Sequence, residues 1–393
     1  MKKGKEAFRE LYNFKGFSFS EICKEISVLI HMKKKGKTGI CPVCNKKRRK
    51  VIEIRNRIIR DKNISEEKCF ISLKTYRIIC KRCYRGMEKL DFILPGERFT
   101  DRFANYIYTL CEKMTLTDVA EMAMINWRTA KRIDKKKLQE RFKNLKKIHP
   151  TRIGVDEIAH EKGHKYLTIV RDLDAGVIWV GEKRKEETLN QFFAELGKRE
   201  SRKITIAVID MWNPYIKSIK ENTNAEIVFD KFHIAKKINE AVDQIRKREF
   251  AKADKEERIN MKHKRFLILY RNKNLNKEQE KDLNELMEQN KTLYESYLLK
   301  EQALNIFERK QRNVALRKLK SWKKNVHESK IKEFQKLLKT LERYWYGIEN
   351  YFTHHVTNGA SEGYNNKINI IKRRAYGFKD IEYFKLKILQ SCS

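Results

Sequence analysis

The spacing of apolar positions changes along the chain, and each change marks a different kind of element. Residues 99–147 read as three helices. In MTLTDVAEMAMINWRTAKRIDKK, Val119, Ala120, Met122 and Ala123 give one helix a small apolar face, Thr115 or Thr117 is placed to cap it, and Asn126 begins a turn into WRTAKRIDKKK. This pattern predicts a helix-turn-helix. Past Pro150 the period shortens, with apolar runs RIGVDEIA, KYLTIVRD, GVIWVG, KITIAVID and AEIVFD separated by turns or by one helical stretch, TLNQFFAELGKR. Five strands are expected. The first three are spaced as an antiparallel meander, and helical sequence precedes the fourth and fifth, as parallel additions require.

From about Lys236 to Tyr351 the spacing is helical again. Leu283, Leu286, Met287, Leu293, Tyr294 and Tyr297 form one stripe; Phe334, Leu337, Leu338, Leu341, Tyr344, Trp345 and Ile348 form another. Sustained heptads are absent, which favours an intramolecular helical insertion over a coiled-coil arm. No proline follows Pro214, and Pro42, Pro95-Gly96 and Pro150 punctuate the first half.

Composition adds a partner. Across 393 residues, 90 Lys+Arg against 52 Asp+Glu leave a net charge of +38, a field that a polyanion uses most directly; the alternative is a lysine-rich solubilising surface. The length suggests two or three domains. No apolar run is long enough to span a bilayer, and MKKGKEAFRELYNF lacks the apolar centre of a signal peptide, so a cytoplasmic, nucleoid-associated protein is expected, with no membrane partner.

Cys41-Pro-Val-Cys44 and Cys80-Lys-Arg-Cys83 are two C-x2-C pairs, each able to grip one tetrahedral Zn²⁺ from a tight turn. Four thiolates close the shell, so Cys41, Cys44, Cys80 and Cys83 predict one structural zinc; free or redox-active thiols are the alternative. The 35 residues between the pairs exceed the usual ribbon spacing, and KCFISLKTYRIICKRC reads as a hairpin leading into the second pair. On the last predicted helix of the helix-turn-helix, Arg128, Lys131, Arg132, Lys135 and Lys136 suit phosphates and guanine edges in a major groove, a solvated basic face being the alternative.

Asp156 lies in the first predicted strand and Asp210 ends the fourth. Were those strands neighbours, the two carboxylates would meet at one edge and share a divalent ion, although strand-end aspartates also commonly cap turns. The blocks IGVDEIAHEKGHKYLTIVRD, VIDMWNPYIKSI, IVFDKFHIAKKINEAVDQIRKR and NGASEGYNNKINIIKRRAYGFKDIEYFKLKIL resemble, in order and across essentially the whole chain, the ISL3 family of insertion-sequence transposases.

The resemblance implies a ribonuclease H-like catalytic core of the DDE class with Asp156, Asp210 and Glu362 as catalytic and metal-binding residues, Mg²⁺ (or Mn²⁺) as cofactor, and terminal inverted repeats and target DNA as double-stranded DNA partners. Bringing two ends together implies a homodimer or larger assembly on DNA. In NGASEGYNNKINIIKRR, Tyr364, Ile368 and Ile371 make an apolar stripe, while Asn358, Glu362, Asn366 and Asn369 line a neighbouring face; Lys372, Arg373 and Arg374 follow, placed for flanking phosphates. His233, Asn358 and Asn366 are candidates to support the site. Trp212 is expected to pack, with base stacking as the other option.

The resulting expectation is a multidomain α+β protein: a helical segment at 1–37, a zinc-binding domain at 38–95, the helix-turn-helix at 96–149, a ribonuclease H-like α/β core with a mixed five-stranded sheet beginning at 150–238, an all-α insertion at 239–350, and the rest of the core at 351–393. Two rival functions stay open. One is a non-enzymatic zinc and helix-turn-helix regulator descended from a transposase; the other is a structure-selective nuclease on the same core.

Overall fold

The computed structural model describes residues 2–81, 83–94, 96–143, 148–161, 163 and 165–393. Pro95 and residues 144–147, used above for a turn and a helix end, lie outside them. The chain forms two compact units, residues 1–143 with 372–390, and residues 144–371 with 391–393.

In the first unit, α1 (Lys2–Leu11) precedes β1 (Phe17–Lys24) and β2 (Val28–Lys34), then a knuckle of β3 (Gly39–Ile40) and β4 (Lys47–Arg48). Two long strands, β5 (Val51–Ile64) and β6 (Glu67–Cys80), and the short β7 (Tyr84–Met87) follow. The sheet order is β1-β2-β6-β5, with β7 paired to the C-terminal end of β6. The expected helical segment at 1–37 is therefore helical only at its start. Phe17 and Phe19, and Val28, Ile30 and Met32, are buried at every second position, a period-two pattern that makes strands of them. KCFISLKTYRIIC is likewise not a hairpin. It lies within the single strand β6, whose hairpin partner is β5, joined at a turn where Ser65 has φ 54°.

The rest of this unit is helical: α2 (Asp101–Lys113), α3 (Leu116–Ala123) and α4 (Trp127–Arg141). Thr100 caps α2, Thr115 and Asp118 form a reciprocal capping box on α3, and the Asn126 side chain accepts from Arg128 N to start α4. Phe103, Ile107, Val119, Ala123, Ala130 and Ile133 form the core. Residues 372–390, expected in the catalytic core, group with this unit. There, Tyr383 and Leu386 pack on Leu138. Asp134, fully buried, accepts from Tyr383 Oη at 2.6 Å and Lys387 Nζ at 3.3 Å.

The second unit is built on the strands β8 (Arg152–Glu161), β9 (Lys165–Asp172), β10 (Gly176–Glu182), β11 (Ile206–Ile209) and β12 (Glu226–Phe229). Their order is β10-β9-β8-β11-β12; β8, β9 and β10 pair antiparallel, and β11 is parallel to both β8 and β12. This is the expected mixed five-stranded sheet. β8, β9 and β10 are buried almost continuously because helices cover the sheet, so they read as apolar runs and not as alternations. α5 (Glu186–Leu196) and the short α6 (Lys198–Ser201) lead into β11, and α7 (Asn213–Asn222) crosses to β12.

An all-helical stretch follows: α8 (Lys231–Lys252), α9 (Lys255–Met261), α10 (Arg265–Leu269), α11 (Lys277–Gln289), α12 (Lys291–Ile306), α13 (Arg312–Ser329), α14 (Lys332–Arg343) and α15 (Trp345–His354). Its core is continuous with that of the sheet. Gly347 permits the contact: a Cβ there would lie 2.4 Å from the Phe229 ring on β12, so only hydrogen lets α15 approach so closely. Tyr294, expected in the apolar stripe, is instead 47% exposed, because Asn290 starts a new helix and resets the register after Met287. The chain ends with α16 (Ala360–Arg374) and α17 (Ile381–Cys392). No described helix is long and apolar enough to cross a membrane.

Candidate functional site

Three arrangements of polar side chains stand out. The first is the cysteine cluster. The β3–β4 knuckle, closed by Cys41 N to Lys46 O at 3.0 Å and by Asn45 in a left-handed conformation, presents Cys41 and Cys44. The turn between β6 and β7 presents Cys80 and Cys83. All four sulfurs lie within 4.8 Å of one another, with Cys41–Cys83 at 3.7 Å, Cys44–Cys80 at 3.8 Å and Cys80–Cys83 at 3.3 Å. A tetrahedral zinc with bonds of about 2.3 Å spaces its sulfurs about 3.8 Å apart, so the set fits that ion. Arg48 donates to the Cys80 and Cys44 sulfurs, offsetting thiolate charge. Cys80 chiefly pushes the Cys83 thiol up to about 12. The long spacer between the pairs is the β5–β6 hairpin, which returns the chain to its starting edge.

The second arrangement is α4. Arg128 is exposed, its guanidinium over the ring of Trp127, itself 46% exposed. The other cations of the helix are engaged within the protein. Lys131 meets Asp380 at 2.9 Å, Lys135 meets Asp380 and Glu382, and Arg132 and Lys136 both meet the buried Glu97. Burial opposes ionisation of Asp380, but Lys131, the Tyr383 N–H and Lys135 hold its carboxyl down at about 2. Sequence spacing alone gave no sign of these pairs, because the acids lie about 35 and 250 residues away. Of the C-terminal cations, Arg373 is exposed and Arg374 donates to the Lys113 carbonyl.

The third lies at one edge of the five-stranded sheet. The register Val208↔Gly154 between parallel strands, continued by two residues, sets Asp210 beside Asp156. Asp230 follows β12 and caps α8, whose first turn carries His233. One donor atom each from Asp156, Asp210 and His233 falls within 4.8 Å of the others. His233 Nε2 is 2.8 Å from Asp210 Oδ1, which has no other hydrogen-bond partner among the described residues. Burial, followed by the charge of Asp156, raises the Asp210 carboxyl, although His233 opposes the shift; burial with Asp210 and Asp156 nearby raises Asp230. For His233 burial works downward, yet Asp210, Asp156 and Asp230 together raise it. Carboxylates that repel one another around a buried oxygen met only by His233 are what a divalent cation would relieve, so these residues fit such an ion.

α16 reaches the same place. Asp156 Oδ2 accepts from Ser361 Oγ at 2.6 Å and Asn365 Nδ2 at 2.9 Å, and Asp156 Oδ1 accepts from Glu157 N at 2.7 Å. Glu362 is exposed and is not among the donors gathered round Asp156 and Asp210; Asn366 is exposed as well. Asn358 precedes the helix and so does not share the expected amide face. Its buried Oδ1 accepts from Arg171 Nε at 2.6 Å, packed so tightly over Gly154 that a Cβ there would lie 2.5 Å from it. Ser361 and Asn365 went unnoticed in the sequence, though their i, i+4 spacing is the signal that would have paired them. Trp212, 38% exposed, donates to the Arg184 carbonyl at 3.3 Å beneath the Arg184 guanidinium.

Comparison with known proteins identifies a family. A family model for ISL3 transposases of the DDE class, described as "Transposase", matches residues 153–388, and one described as the helix-turn-helix domain of transposase family ISL3 matches residues 88–136. The transposase for insertion sequence element IS1001 of Bordetella parapertussis is 31% identical over 365 residues, 91% of this chain and 90% of its own. The transposase for insertion sequence element IS1557 of Mycobacterium tuberculosis is 28% identical over 314 residues, 72% of this chain and 68% of its own.

Proposed function

From a chain that belongs to the ISL3 family of transposases, we propose a DNA transposase that binds the terminal inverted repeats of its own element, hydrolyses phosphodiester bonds at the ends and joins the freed 3′-hydroxyls to target DNA. The helix-turn-helix implies DNA binding, and the exposed Trp127 and Arg128 at the start of α4 are the side chains best suited to base edges. The observation that carries the catalytic reading is the convergence of Asp156 and Asp210 from adjacent parallel strands. The strand order β10-β9-β8-β11-β12 supports a ribonuclease H-like core.

Asp156 and Asp210 hold a divalent cation, magnesium or manganese, and Glu362 completes the carboxylate set when DNA is engaged. When bound, two such ions activate a water or 3′-hydroxyl and stabilise the leaving oxygen. The chain's own contribution is to fix the acids. Ser361 and Asn365 hold Asp156 in one orientation, and His233 holds Asp210. The cysteine cluster holds a structural zinc. Two ends processed together imply a dimer or larger assembly on DNA.

The test is to incubate the protein with Mg²⁺ and a DNA fragment carrying the element's own end. Nicks bearing 3′-hydroxyls at the element boundary, followed by joined products, are expected. Cutting of branched DNA irrespective of terminal sequence would instead identify a structure-selective nuclease, and end-binding without cutting would identify a regulator.

A further inference from the structure

We infer that His233 is itself a ligand of the cation held by Asp156 and Asp210, and that its imidazole gives this site a preference for manganese over magnesium. The inference rests on the carboxylate reading above and goes one residue beyond it.

The position of His233 is built into the fold. Asp230 follows β12 and its side chain accepts from Phe232 N in the first turn of α8; His233 N then donates to Asp230 O at 3.1 Å. Strand end, cap and first turn together hold the imidazole at the sheet edge where β8 and β11 deliver their aspartates. His233 Nε2 approaches Asp210 Oδ1, the buried oxygen with no other partner among the described residues. An ion between β8 and β11 would therefore meet three converging donors, two carboxylate oxygens and one nitrogen, without movement of any strand.

The competing third ligand, Glu362, is exposed, and the residues that α16 turns toward Asp156 are Ser361 and Asn365. Ser361 Oγ and Asn365 Nδ2 both donate to Asp156 Oδ2. In this structure the ready-made set is thus Asp, Asp and His. That composition carries a selectivity. Mg²⁺ is hard, demands near-ideal octahedral oxygen coordination and dehydrates reluctantly, so a nitrogen in the set disfavours it relative to the less demanding Mn²⁺.

The experiment uses the full-length protein, zinc-loaded so that its cysteines are occupied, titrated with Mn²⁺ by electron paramagnetic resonance, with Mg²⁺ as competitor. Bound Mn²⁺ is expected to show hyperfine coupling to a directly ligated ¹⁴N, and to bind tighter than Mg²⁺. His233→Gln should lose the nitrogen coupling and most of the selectivity, while Asp210→Asn should lose the bound ion. If the parent binds Mn²⁺ through Asp210 but shows no ¹⁴N coupling, or if His233→Gln retains both coupling and selectivity, His233 is not a ligand and the carboxylate reading survives without it. Mn²⁺ binding indifferent to Asp210→Asn would overturn the carboxylate reading itself. The coupling in the parent needs no variant to fold.

Discussion

Asp156 accepts three hydrogen bonds within the protein, from the Glu157 amide, Ser361 and Asn365, and a carboxylate so held loses little orientational freedom when it takes a ligand. Glu362 sits next to Ser361 on the same helix and is exposed, free of such restraint. On the proposed reading, Glu362→Gln keeps the shape, removes the charge and lowers Mg²⁺-dependent cleavage and joining by at least about a hundredfold, with end-binding nearly unchanged. Gel assays of cutting and of binding separate the two; cleavage near the parent's rate would show that another acid serves. Glu362 was singled out in the sequence by the family resemblance, with its surroundings, a lone acid among amides, as support. The contacts of Ser361 and Asn365 depend on how far α16 is rotated over β8, which sequence does not state.

A second residue gives a pH signature. Lys300 is fully buried, donating to the carbonyls of Ile268 at 2.8 Å and Tyr270 at 2.5 Å, and burial lowers its pKa to about 8. The folded pKa lies below the ordinary value, so the unfolded chain binds the proton more readily. The cost of the charge is then fully present below about pH 8 and fades as pH rises toward the ordinary lysine range. Unfolding free energy of the parent minus that of Lys300→Met should be flat below pH 8 and climb between about pH 8 and 10.5. Denaturant melts across that range check it, and a difference that stays level throughout would show that Lys300 titrates normally.

At the scale of elements, α4 shows how one helix divides its charges. Arg132 and Lys136 meet Glu97, and Lys131 and Lys135 meet Asp380, whereas Arg128 at the first turn meets no acid among the described residues. Arg132→Ala leaves the buried Glu97 with less compensation and should cost roughly 1–3 kcal/mol of stability while preference for the terminal repeat persists. Arg128→Ala should leave the melting temperature within about 2 °C of the parent's and weaken the repeat preference by roughly 1–3 kcal/mol. Binding to repeat and scrambled duplexes, with melts alongside, distinguishes the two; the opposite assignment of effects would refute the division. Helix existence, caps and the turn at Asn126 were legible from residue type and spacing. The pairing of charges was not, since Glu97 lies ahead of α2 and Asp380 ahead of α17, both far from α4 in sequence.

For the whole molecule, the elements of the second unit were readable because they have their own periods: near-continuous apolar runs in β8, β9 and β10, and helical stripes in α11 and α14. The alternation at residues 17–34 was nonetheless overlooked beside the helix that precedes it. The return of residues 372–390 to the first unit was hidden too, because Tyr383, Lys387 and Asp134 have no meaning as a group until they are buried together. The cysteine cluster supplies a fourth expectation: purified protein carries one zinc per chain, and a strong chelator removes it with loss of amide protection across residues 38–87. Absence of zinc, or unchanged protection after its removal, would contradict the structural role. The catalytic claim is tested most directly by Asp210→Asn, assayed beside the parent for Mg²⁺-dependent nicking at the element's own end. The account predicts 3′-hydroxyl nicks at the boundary with the parent and at least a roughly hundredfold loss with the variant, both binding the end alike. Nicking by Asp210→Asn at the parent's rate would contradict it.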